Sequence, residues 1–556
     1  MIIFSPRLLW RVSCNLLLFL VFFYAASGGL LGAPASAATA PSHQISPSSH
    51  THVKHIILSP AKHLSKRAQR KLVSPYLNSF LSPARIQTLI DDVRAHYIIK
   101  GYPTTQVYVV ADPTDPPGTL RLTVIHGFIE QIRLGSNRPW ERRQVATAFP
   151  FLQGGPLYLP ALSQGIDVLN NVPSHGASMT ILPGNLTGGS VIQINNSVAH
   201  RWRVDLGVDN LGEKASGELR GKVNLGLDNL LSLNDVLTLH CSLNKARKVW
   251  KKSQQKDIPL YNASLMASLS FPVGAYSFSS SYATSRALSP AQAHLETYLY
   301  KTANNSLSFQ VKRLLLQGWS SKTFVELGLT RKDSTSWLED TLIGNQSRKL
   351  SIADGTLSYI GLLGGGQTTA SVSYHQGLPI WSALKDASPA AAQAPKAQFR
   401  KLNLSFLWVR FVPLSSQRHL QYQFHYASQH SKDRLYSSEQ MSLSGLDRLR
   451  GLTTSVGTDE GFFVRQELSL LGFLSFSRLT APLQPFVGLD GGYALSKDPR
   501  MNHQSLLCWA AGFKYQGYRL YGEVSYARMP QGGSSQGYKL YLNLSISLHQ
   551  LFSRLT

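Results

Sequence analysis

The feature that most constrains the fold is a hydropathy period of two, which runs through the last two thirds of the chain. The final segment shows it: alternate residues are apolar and those between them mostly polar, with Tyr538, Leu540, Leu542, Leu544, Ile546 and Leu548 in one set and Lys539, Tyr541, Asn543, Ser545, Ser547 and His549 in the other. Successive side chains of a strand point to opposite faces, so the period predicts a strand. Similar segments recur from about residue 201 onward, and they give about seventeen candidate strands.

The apolar face of these strands is predicted to contact lipid. A soluble sandwich would also alternate, but here the polar set keeps carrying Arg, Lys, Glu and Asn, and Tyr or Trp recurs near segment ends, at Trp202, Trp408, Tyr518 and Tyr538. This pattern is typical of a membrane β-barrel with aromatic girdles and a polar lumen. Residues 199–556 are therefore assigned to a closed antiparallel barrel, whose even strand number implies that the count of about seventeen includes one too many.

The N-terminus carries an export signal. Arg7 and Arg11 flank an apolar stretch over 14–24, and Ala35-Ser36-Ala37 is a small-residue cleavage site, so residues 1–37 are predicted to be a signal peptide rather than a membrane anchor. No later apolar run reaches about 18 residues, so no transmembrane helix is expected. An exported chain with lipid-facing strands is predicted to lie in the outer membrane of a Gram-negative bacterium.

Two small α+β modules are predicted between the leader and the barrel. Residues 38–51 are rich in Ser, Pro, Ala and His and are expected to be a short flexible segment, with a metal-binding His tract as the alternative. Residues 52–126 and 127–198 form two modules of about 70 residues each, in the size range of minimal domains. Both combine strands with segments of helical periodicity.

The first module illustrates the reasoning. Residues 52–58, "HVKHIIL", are predicted to form one strand. A helix is predicted to begin at Ser82-Pro83, with Ser as N-cap and Pro at the first helical position, and to end at Gly101. Two strands are expected on either side of the turn "DPTDPPG".

Composition excludes several classes of function. The net charge is +25, although only 15% of residues are charged. The chain has three Cys without metal-ligand spacing, so no cofactor is predicted, while a disulfide between Cys241 and Cys508 is left open. No HExxH, GxSxG or phosphate-loop motif occurs, so no enzyme is predicted. An exported barrel has no nucleic-acid partner, and a basic lumen with loops facing lipopolysaccharide accounts for the charge.

One long loop and one strand carry the candidate site. The loop segment "GLDRLRGLTTSVGTDEGFFVRQELSL" begins at Gly445 and contains Arg450-Gly451, which suggests backbone packed in a confined space. In "PFVGLDGGYA", alternation places Gly488, Asp490 and Gly492 on the lumen face. Small neighbours leave Asp490 room for an incoming side chain, so Arg450 folded inward is expected to pair with it.

The sequence at this point resembles the outer-membrane transporters of two-partner secretion, the haemolysin secretion/activation (TpsB) type. Residues 101–134 resemble the end of a first polypeptide-transport-associated (POTRA) domain, and 151–184 resemble the second. Asp-Asn pairs at 209–210 and 228–229 resemble those of the family's first barrel strands. "LRGL…GTDEGFFVRQEL" resembles the long loop that folds into the pore, and "FVGLDGGYA" resembles the strand whose Asp anchors it.

The resemblance implies two POTRA domains, 52–126 and 127–198, and a sixteen-stranded barrel with an inward-folded loop over 442–460. It implies a role for each of ten site residues: Arg450, Gly451 and Leu452 at the loop tip, Asp490 and Gly492 on the barrel wall, and Gly457, Asp459, Gly461, Arg465 and Glu467 as loop support.

Leu452 departs from the family, which usually has an aromatic residue there. The short segment before residue 52 departs from relatives that place a plug helix in the pore, and four residues follow Phe552, where relatives often end.

The implied function is secretion of one large partner exoprotein, an adhesin or a haemolysin, captured unfolded in the periplasm by the POTRA domains. Outer-membrane lipid, lipopolysaccharide and the barrel-assembly machinery are further expected partners. An insertase of the same superfamily is one alternative, but such relatives generally have more POTRA domains. A solute porin is another, but it would not need a periplasmic α/β region of about 145 residues.

Overall fold

The computed structural model describes residues 51–135, 138–212, 217–244, 248–251, 256–293, 296–318, 320–386, 394–452, 455–472, 481–497, 503–517, 519–531 and 537–548. The predicted signal peptide, the predicted flexible segment up to residue 50, Tyr518 and the residues after 548 lie outside these ranges. Within the described ranges, no helix has both the length and the apolar character needed to cross a membrane.

The part of the chain before residue 199 contains four helices and eight strands among its described residues. The helices are α1 Lys66–Val73, α2 Pro83–Ile99, α3 Pro139–Ala148 and α4 Leu159–Asn170. The strands are β1 Thr51–Val53, β2 His55–Ser59, β3 Ser79–Leu81, β4 Gln106–Val109, β5 Thr119–Ile125, β6 Phe128–Leu134, β7 His175–Pro183 and β8 Gly189–Val198.

The single strand predicted over 52–58 is wrong, because the backbone forms β1 and β2 separated at Lys54. The Lys54 N–H donates to the carbonyl of Gly118 over 2.8 Å, which interrupts the ladder there. Helix α2 begins at Pro83 as predicted, and the Ser82 Oγ accepts from the N–H of Arg85 at 3.4 Å. Helix α1 was not predicted, because half of its eight residues are Lys or Arg and Val73 is its one buried residue.

The described residues form two units. One comprises 51–58, 63–92 and 109–122, and in it β1 pairs antiparallel with β3. Its buried side chains include Val53, Leu81 and Leu89. The other comprises 59–62, 93–108 and everything from 123 onward.

The second unit includes a sheet of three strands in the order β6-β8-β7, with β6 parallel and β7 antiparallel to β8. Helices α3 and α4 cover this sheet. The core consists of apolar side chains from both layers, chiefly Ile129, Leu134, Phe149, Leu157, Leu162, Leu169, Ile192 and Ile194. Burial of such side chains stabilises each by about 1.5–3 kcal/mol, which explains how a module this small holds its shape.

The rest of the second unit, in the ranges that the structure describes, is a closed antiparallel barrel with sixteen wall strands. These are β9 Trp202–Asp209, β10 Arg220–Asp228, β11 Val236–Asn244, β14 Tyr261–Val273, β15 Tyr276–Ala293, β16 Glu296–Gln317, β17 Ser321–Leu338, β19 Arg348–Leu363, β20 Gly366–Leu378, β21 Arg400–Pro413, β22 His419–Ser431, β25 Glu460–Leu471, β26 Leu483–Leu495, β27 Gln504–Gln516, β28 Leu520–Gln531 and β29 Gly537–Ser547. Five further short strands occur in the loops as far as these are described: β12 Lys248–Lys251, β13 Lys256–Pro259, β18 Thr341–Leu342, β23 Met441–Ser442 and β24 Gly457–Thr458.

Closure of the barrel confirms the predicted fold class. The last strand, β29, pairs with the first, β9, from Asn543↔Asp209 to Ser547↔Asp205. On β29 the predicted alternation is present: Leu540 is 49% exposed on the outer face, whereas Tyr541 is 2% exposed on the inner face. Within the described residues sixteen strands form the wall, which confirms the predicted strand number; as expected from the even number that a closed antiparallel barrel requires, one of the about seventeen candidates does not belong to the wall.

The second module contacts the base of the barrel through the turn between β10 and β11. The Asn234 side-chain amide donates to the Gln144 carbonyl (2.9 Å) and to the Thr147 hydroxyl (2.8 Å) at the end of α3. The Asp228 carboxylate accepts from the N–H of Ser174 over 2.8 Å. Side chains of the barrel thus form hydrogen bonds with backbone groups of the second module.

Candidate functional site

The long connection between β22 and β25, residues 432–459, is called the lumen loop; its described residues, 432–452 and 455–459, fold against the inner face of the barrel. It is longer than the predicted segment 442–460, because β22 ends at Ser431. Within it, β23 and β24 pair as a small hairpin, Met441↔Thr458 and Ser442↔Gly457. Arg450 lies between these strands, and its side chain is completely buried.

Arg450 is held by two carboxylates of the barrel wall. Its Nε and Nη2 donate to the two oxygens of Asp490 on β26, over 2.8 and 2.7 Å, and its own backbone N–H donates to Asp490 Oδ2 at 3.2 Å. Its Nη1 donates to Glu467 Oε2 on β25 over 2.8 Å. A bidentate guanidinium–carboxylate pair fixes orientation as well as distance, so the loop tip has one defined position.

Glu467 joins this pair to a wider network. Its Oε2 also accepts from Arg465 Nη2 over 2.8 Å, and its Oε1 forms an ion pair with Lys514 on β27. The Arg465 Nη1 donates a hydrogen bond to the carbonyl of Leu446, in the lumen loop, over 2.5 Å. Three cations therefore surround two buried carboxylates; the network binds the loop to β25 and β26 directly and includes β27 through the ion pair of Lys514 with Glu467.

Missing side chains on β26 make room for the loop. A Cβ at Gly488 would overlap Nη2 of Arg450, and a Cβ at Gly492 would lie 2.6 Å from Cδ1 of Leu449. At the tip itself, Gly451 has a φ of +87°, which L side chains rarely adopt. Its N–H donates to the hydroxyl of Tyr541 on β29 over 2.9 Å.

Apolar side chains surround the charged network. The lumen loop contributes Leu443, Leu449 and Leu452, and the wall contributes Phe463, Ala494, Leu506, Cys508 and Met529. Leu452, the residue that departs from the family pattern, is among the buried members. Exclusion of water strengthens the ion pairs and raises the cost of leaving any of these charges unpaired.

The remaining predicted support residues lie where the loop returns to the wall. Asp459 is fully buried, and its carboxylate accepts from the N–H groups of Leu435 (2.8 Å) and Lys497 (2.9 Å). Gly457 pairs with Ser442, and a Cβ at Gly461 would overlap the carbonyl of Tyr493. These residues hold the ends of the hairpin and are not part of the Arg450 network.

Sequence reasoning missed three groups that bind the loop. Tyr541 accepts from the N–H of Gly451 at the tip, and Lys514 is linked to the tip through Glu467, the carboxylate that Arg450 also binds. Glu439, nearer the start of the loop, is paired with two lysines of the wall. Alternation would have placed the strand residues on the inner face, but no signal in the sequence identifies which loop residue each one meets. Cys241 and Cys508 are free, and the described residues contain no cluster of three metal-ligating side chains.

A closed barrel with an apolar outer face, a polar lumen occupied by a long loop, and small α/β modules before its first strand defines an outer-membrane POTRA–barrel transporter. The family model "Haemolysin secretion/activation protein ShlB/FhaC/HecB" matches residues 188–515, "POTRA domain, ShlB-type" matches 51–127, and "POTRA domain" matches 128–183. The chain belongs to the haemolysin secretion/activation family. It is an outer-membrane secretion protein with its POTRA domains in the periplasm, which confirms the predicted family, fold and location.

Similar proteins with assigned names agree with this family assignment. The chain is 28% identical to the hemolysin transporter protein ShlB of Serratia marcescens over 494 residues, which cover 86% of this chain and 80% of the relative. It is 27% identical to the outer membrane transporter CdiB of Dickeya dadantii over 407 residues, covering 73% and 70%. The solved structure of CdiB from Escherichia coli has a TM-score of 0.80 at 23% identity and covers 98% of this chain and 100% of that one, which supports the fold.

Proposed function

We propose that the chain secretes one large partner exoprotein, of the adhesin or haemolysin type, through its barrel lumen. Residues 1–37 serve as the signal peptide, 52–126 and 127–198 as the two POTRA domains, and 199–556 as the barrel. The named relatives are transporters of this kind, and two POTRA domains are fewer than insertases of the superfamily generally carry. A solute porin has no use for either module.

Client capture is assigned to the periplasmic modules. In the second, β7 is an edge strand: within the described residues it pairs only with β8. Unpaired N–H and C=O groups of such an edge accept an extended chain by strand addition. An unfolded exoprotein supplies extended segments, so we assign the docking of its N-terminal region, before it enters the lumen, to this edge.

The observation that carries the proposal is the buried contact of Arg450 with Asp490 and Glu467. A loop in a porin need only narrow the channel. In this protein, two buried carboxylates of the wall, Asp490 and Glu467, bind Arg450 of the loop within an apolar cluster. We assign Arg450, Gly451 and Leu452 to the working tip of the loop. Asp490 and Gly492 form its seat on the wall, and Gly457, Asp459, Gly461, Arg465 and Glu467 hold it in place.

The other partners follow from charge and location. The outer face of the barrel meets membrane lipid, and the basic balance of the chain, +25, suits loops that face anionic lipopolysaccharide. The barrel-assembly machinery is required during insertion. No cofactor and no nucleic acid enters the proposal.

The test is secretion by an Arg450→Ala variant. We expect the client in the medium to fall at least tenfold and to accumulate in the cells, while the barrel still migrates as a folded species on unheated gels. Arg448→Ala is the matched control, because Arg448 lies two residues away and its side chain is 38% exposed. Secretion by Arg450→Ala equal to that of the control would remove the loop tip from the mechanism.

A further inference from the structure

A second buried ion cluster holds the lumen loop near its start. Glu439 is 2% exposed, and its Oε1 accepts from Lys332 Nζ over 2.7 Å while its Oε2 accepts from Lys401 Nζ over 3.1 Å. The same Lys401 Nζ also donates to the Glu439 carbonyl at 2.8 Å. One loop residue therefore binds two ammonium groups with its side chain and one of them with its backbone.

The two lysines lie on different strands of the wall. Lys332 is on β17 and Lys401 on β21, and β19 and β20 lie between these strands. Glu439 bridges this concave stretch of wall. The Arg450 network is attached elsewhere, to β25, β26 and β27, so the loop is fixed to the barrel at two separate places.

The two anchors differ in their access to water. Arg450 and Asp490 are fully buried and the Glu467 side chain is 1% exposed. In the second cluster Glu439 and Lys401 are also nearly buried, at 2% and 9%, and Lys332 is the member that water reaches, at 31% exposed, against 20% for Lys514 at the edge of the Arg450 network. A charge that separates from its partner in a dry site has nothing to replace that partner, while a hydrated ammonium exchanges a carboxylate for water at much lower cost. The Glu439 anchor is thus the easier one to open.

We propose that the Glu439–Lys332–Lys401 cluster is a releasable latch and that the Arg450 network is the fixed pivot of the same loop. On release, the first arm of the loop, residues 432–442, moves from the β17–β21 wall while the tip stays on Asp490. This inference rests on the proposed function, because it supplies the step that clears part of the lumen for an unfolded client.

Apolar contacts reinforce the latch. Leu435 in the same arm packs with Leu350 and Ile352 of β19 and with Phe399 before β21. Loss of the ionic contact alone therefore loosens the arm without freeing it completely. The expected phenotype is more frequent opening rather than a permanently open pore.

The test compares the ion conductance of purified full-length variants in planar bilayers. Glu439→Gln keeps the shape and removes the charge, and we expect it to spend at least twice as much time in conducting states as the wild type. Asp447→Asn is the matched control: it makes the same chemical change in the same loop, at a side chain that is 54% exposed. Equal open times for Glu439→Gln and the control would overturn the latch.

A charge swap separates the contact from general damage. Glu439→Lys combined with Lys332→Glu and Lys401→Glu reverses all three charges and keeps one central charge between two opposite charges, so it is expected to return the open times toward those of the wild type. A swap variant as leaky as Glu439→Gln overturns the proposal. If Glu439→Gln fails to assemble, the swap variant decides alone: wild-type conductance supports the contact, and leakage overturns it.

A thiol-labelling experiment identifies which anchor moves. In a background with Cys241 and Cys508 replaced by Ser, Ser438→Cys reports on the arm and Leu449→Cys on the tip. Glu439→Gln should speed labelling of the first by a membrane-impermeant maleimide and leave the second protected; faster labelling at both would show that the pivot opens too. None of these measurements uses a client, so their failure would leave the secretion proposal standing.

Discussion

The guanidinium of Arg450 occupies the space that a side chain at Gly488 would fill. Gly488 lies two residues before Asp490 and on the same face of β26, and a Cβ there would overlap Nη2, the atom that donates to Asp490 Oδ1. The carbonyl of Gln466 lies 3.0 Å from the same position, so the wall has little freedom to retreat. The ion pair at the loop tip therefore depends on a missing side chain two residues away.

Gly488→Ala is predicted to displace Arg450 without changing any charge. The added methyl group removes the bidentate contact with Asp490 and leaves the buried guanidinium with Glu467 as its remaining carboxylate, so part of its hydrogen-bonding capacity is unpaired in a site closed to water. We expect secretion to fall about as far as in Arg450→Ala, at least tenfold. The measurement is the ratio of client in the medium to client in the cells.

Gly491→Ala on the same strand is the control for Gly488→Ala. A Cβ at Gly491 would have the Leu506 carbonyl as its nearest neighbour, at 4.0 Å, so the substitution should be tolerated. If the Gly488→Ala variant secreted as much client as the Gly491→Ala variant, the close contact between Gly488 and Arg450 would not be required for secretion.

Glu467→Gln is predicted to destabilise the barrel as well as the loop. Glu467 is shared by Arg450, Arg465 and Lys514, so its neutralisation leaves these three cations with Asp490 as their remaining carboxylate in the network. Breaking a buried pair in this way costs about 3–5 kcal/mol. The expected result is a lower temperature for loss of the folded, fast-migrating form on gels.

The matched change on the same strand is Glu460→Gln. Glu460 pairs with Lys497 and His430, and its side chain remains partly exposed. Exposed pairs of this kind contribute about 0–1 kcal/mol, so the transition temperature should hardly move. Equal shifts for the two variants would mean that burial of Glu467 adds nothing to its ion pairs.

The barrel could be predicted from the sequence because apolar and polar residues alternate along each strand, with one set facing lipid and the other facing the lumen. Alternation alone places Asp490 and its glycine neighbours on the inner face, and the structure has them there, with Val487 and Leu489 exposed on the outer face. The contact of Arg450 with Asp490 was expected from the room around that Asp. Local spacing carries this kind of information because a strand repeats every two residues.

The loop contacts could not be predicted in the same way. Glu439 meets Lys332 and Lys401, which are 107 and 38 residues away in sequence, and the choice depends on the path of an irregular loop. No periodicity describes such a path. Tyr541 is a similar case: alternation places it on the inner face of β29, but its partner, the N–H of Gly451, is set by a left-handed turn at the loop tip.

The contact between the second POTRA module and the barrel gives a third prediction. Asn234 has a φ of +59° and donates both its amide bonds to α3, so Asn234→Asp keeps the backbone preference but removes the donors. The Gln144 carbonyl then faces a carboxylate, and each lost buried hydrogen bond costs about 1–3 kcal/mol. We expect faster hydrogen exchange in α3, measured on the protein in detergent.

Asn224→Asp serves as the comparison for Asn234→Asp. Its side chain bonds His240 within the barrel wall, away from α3. Exchange in α3 should match that of the wild type in this variant. An α3 that exchanges equally fast in both variants would show that Asn234 does not hold the module to the barrel.

The fourth prediction concerns pH and His175, the first residue of β7. Burial lowers the pKa of His175 below its usual value, the nearby Asp228 carboxylate opposes this shift, and Arg201 adds to it. In the folded module the His175 ring therefore stays neutral at pH values below about 6.5, where the unfolded chain would take up a proton on it. Stability contributed by the neutral ring is present above that pH and declines as the pH falls toward the lower folded pKa.

The expected consequence is a loss of hydrogen-exchange protection in β7 when the pH falls from 7 to 5.5, after correction for the intrinsic exchange rate. The linkage allows up to about a tenfold loss at pH 5.5. His175→Gln cannot take up a proton and should show no such loss, whereas His200→Gln, which removes a less buried histidine nearby, should retain it. If β7 lost protection equally in wild type and His175→Gln, another group would have to carry the pH dependence, and burial of His175 would not be its cause.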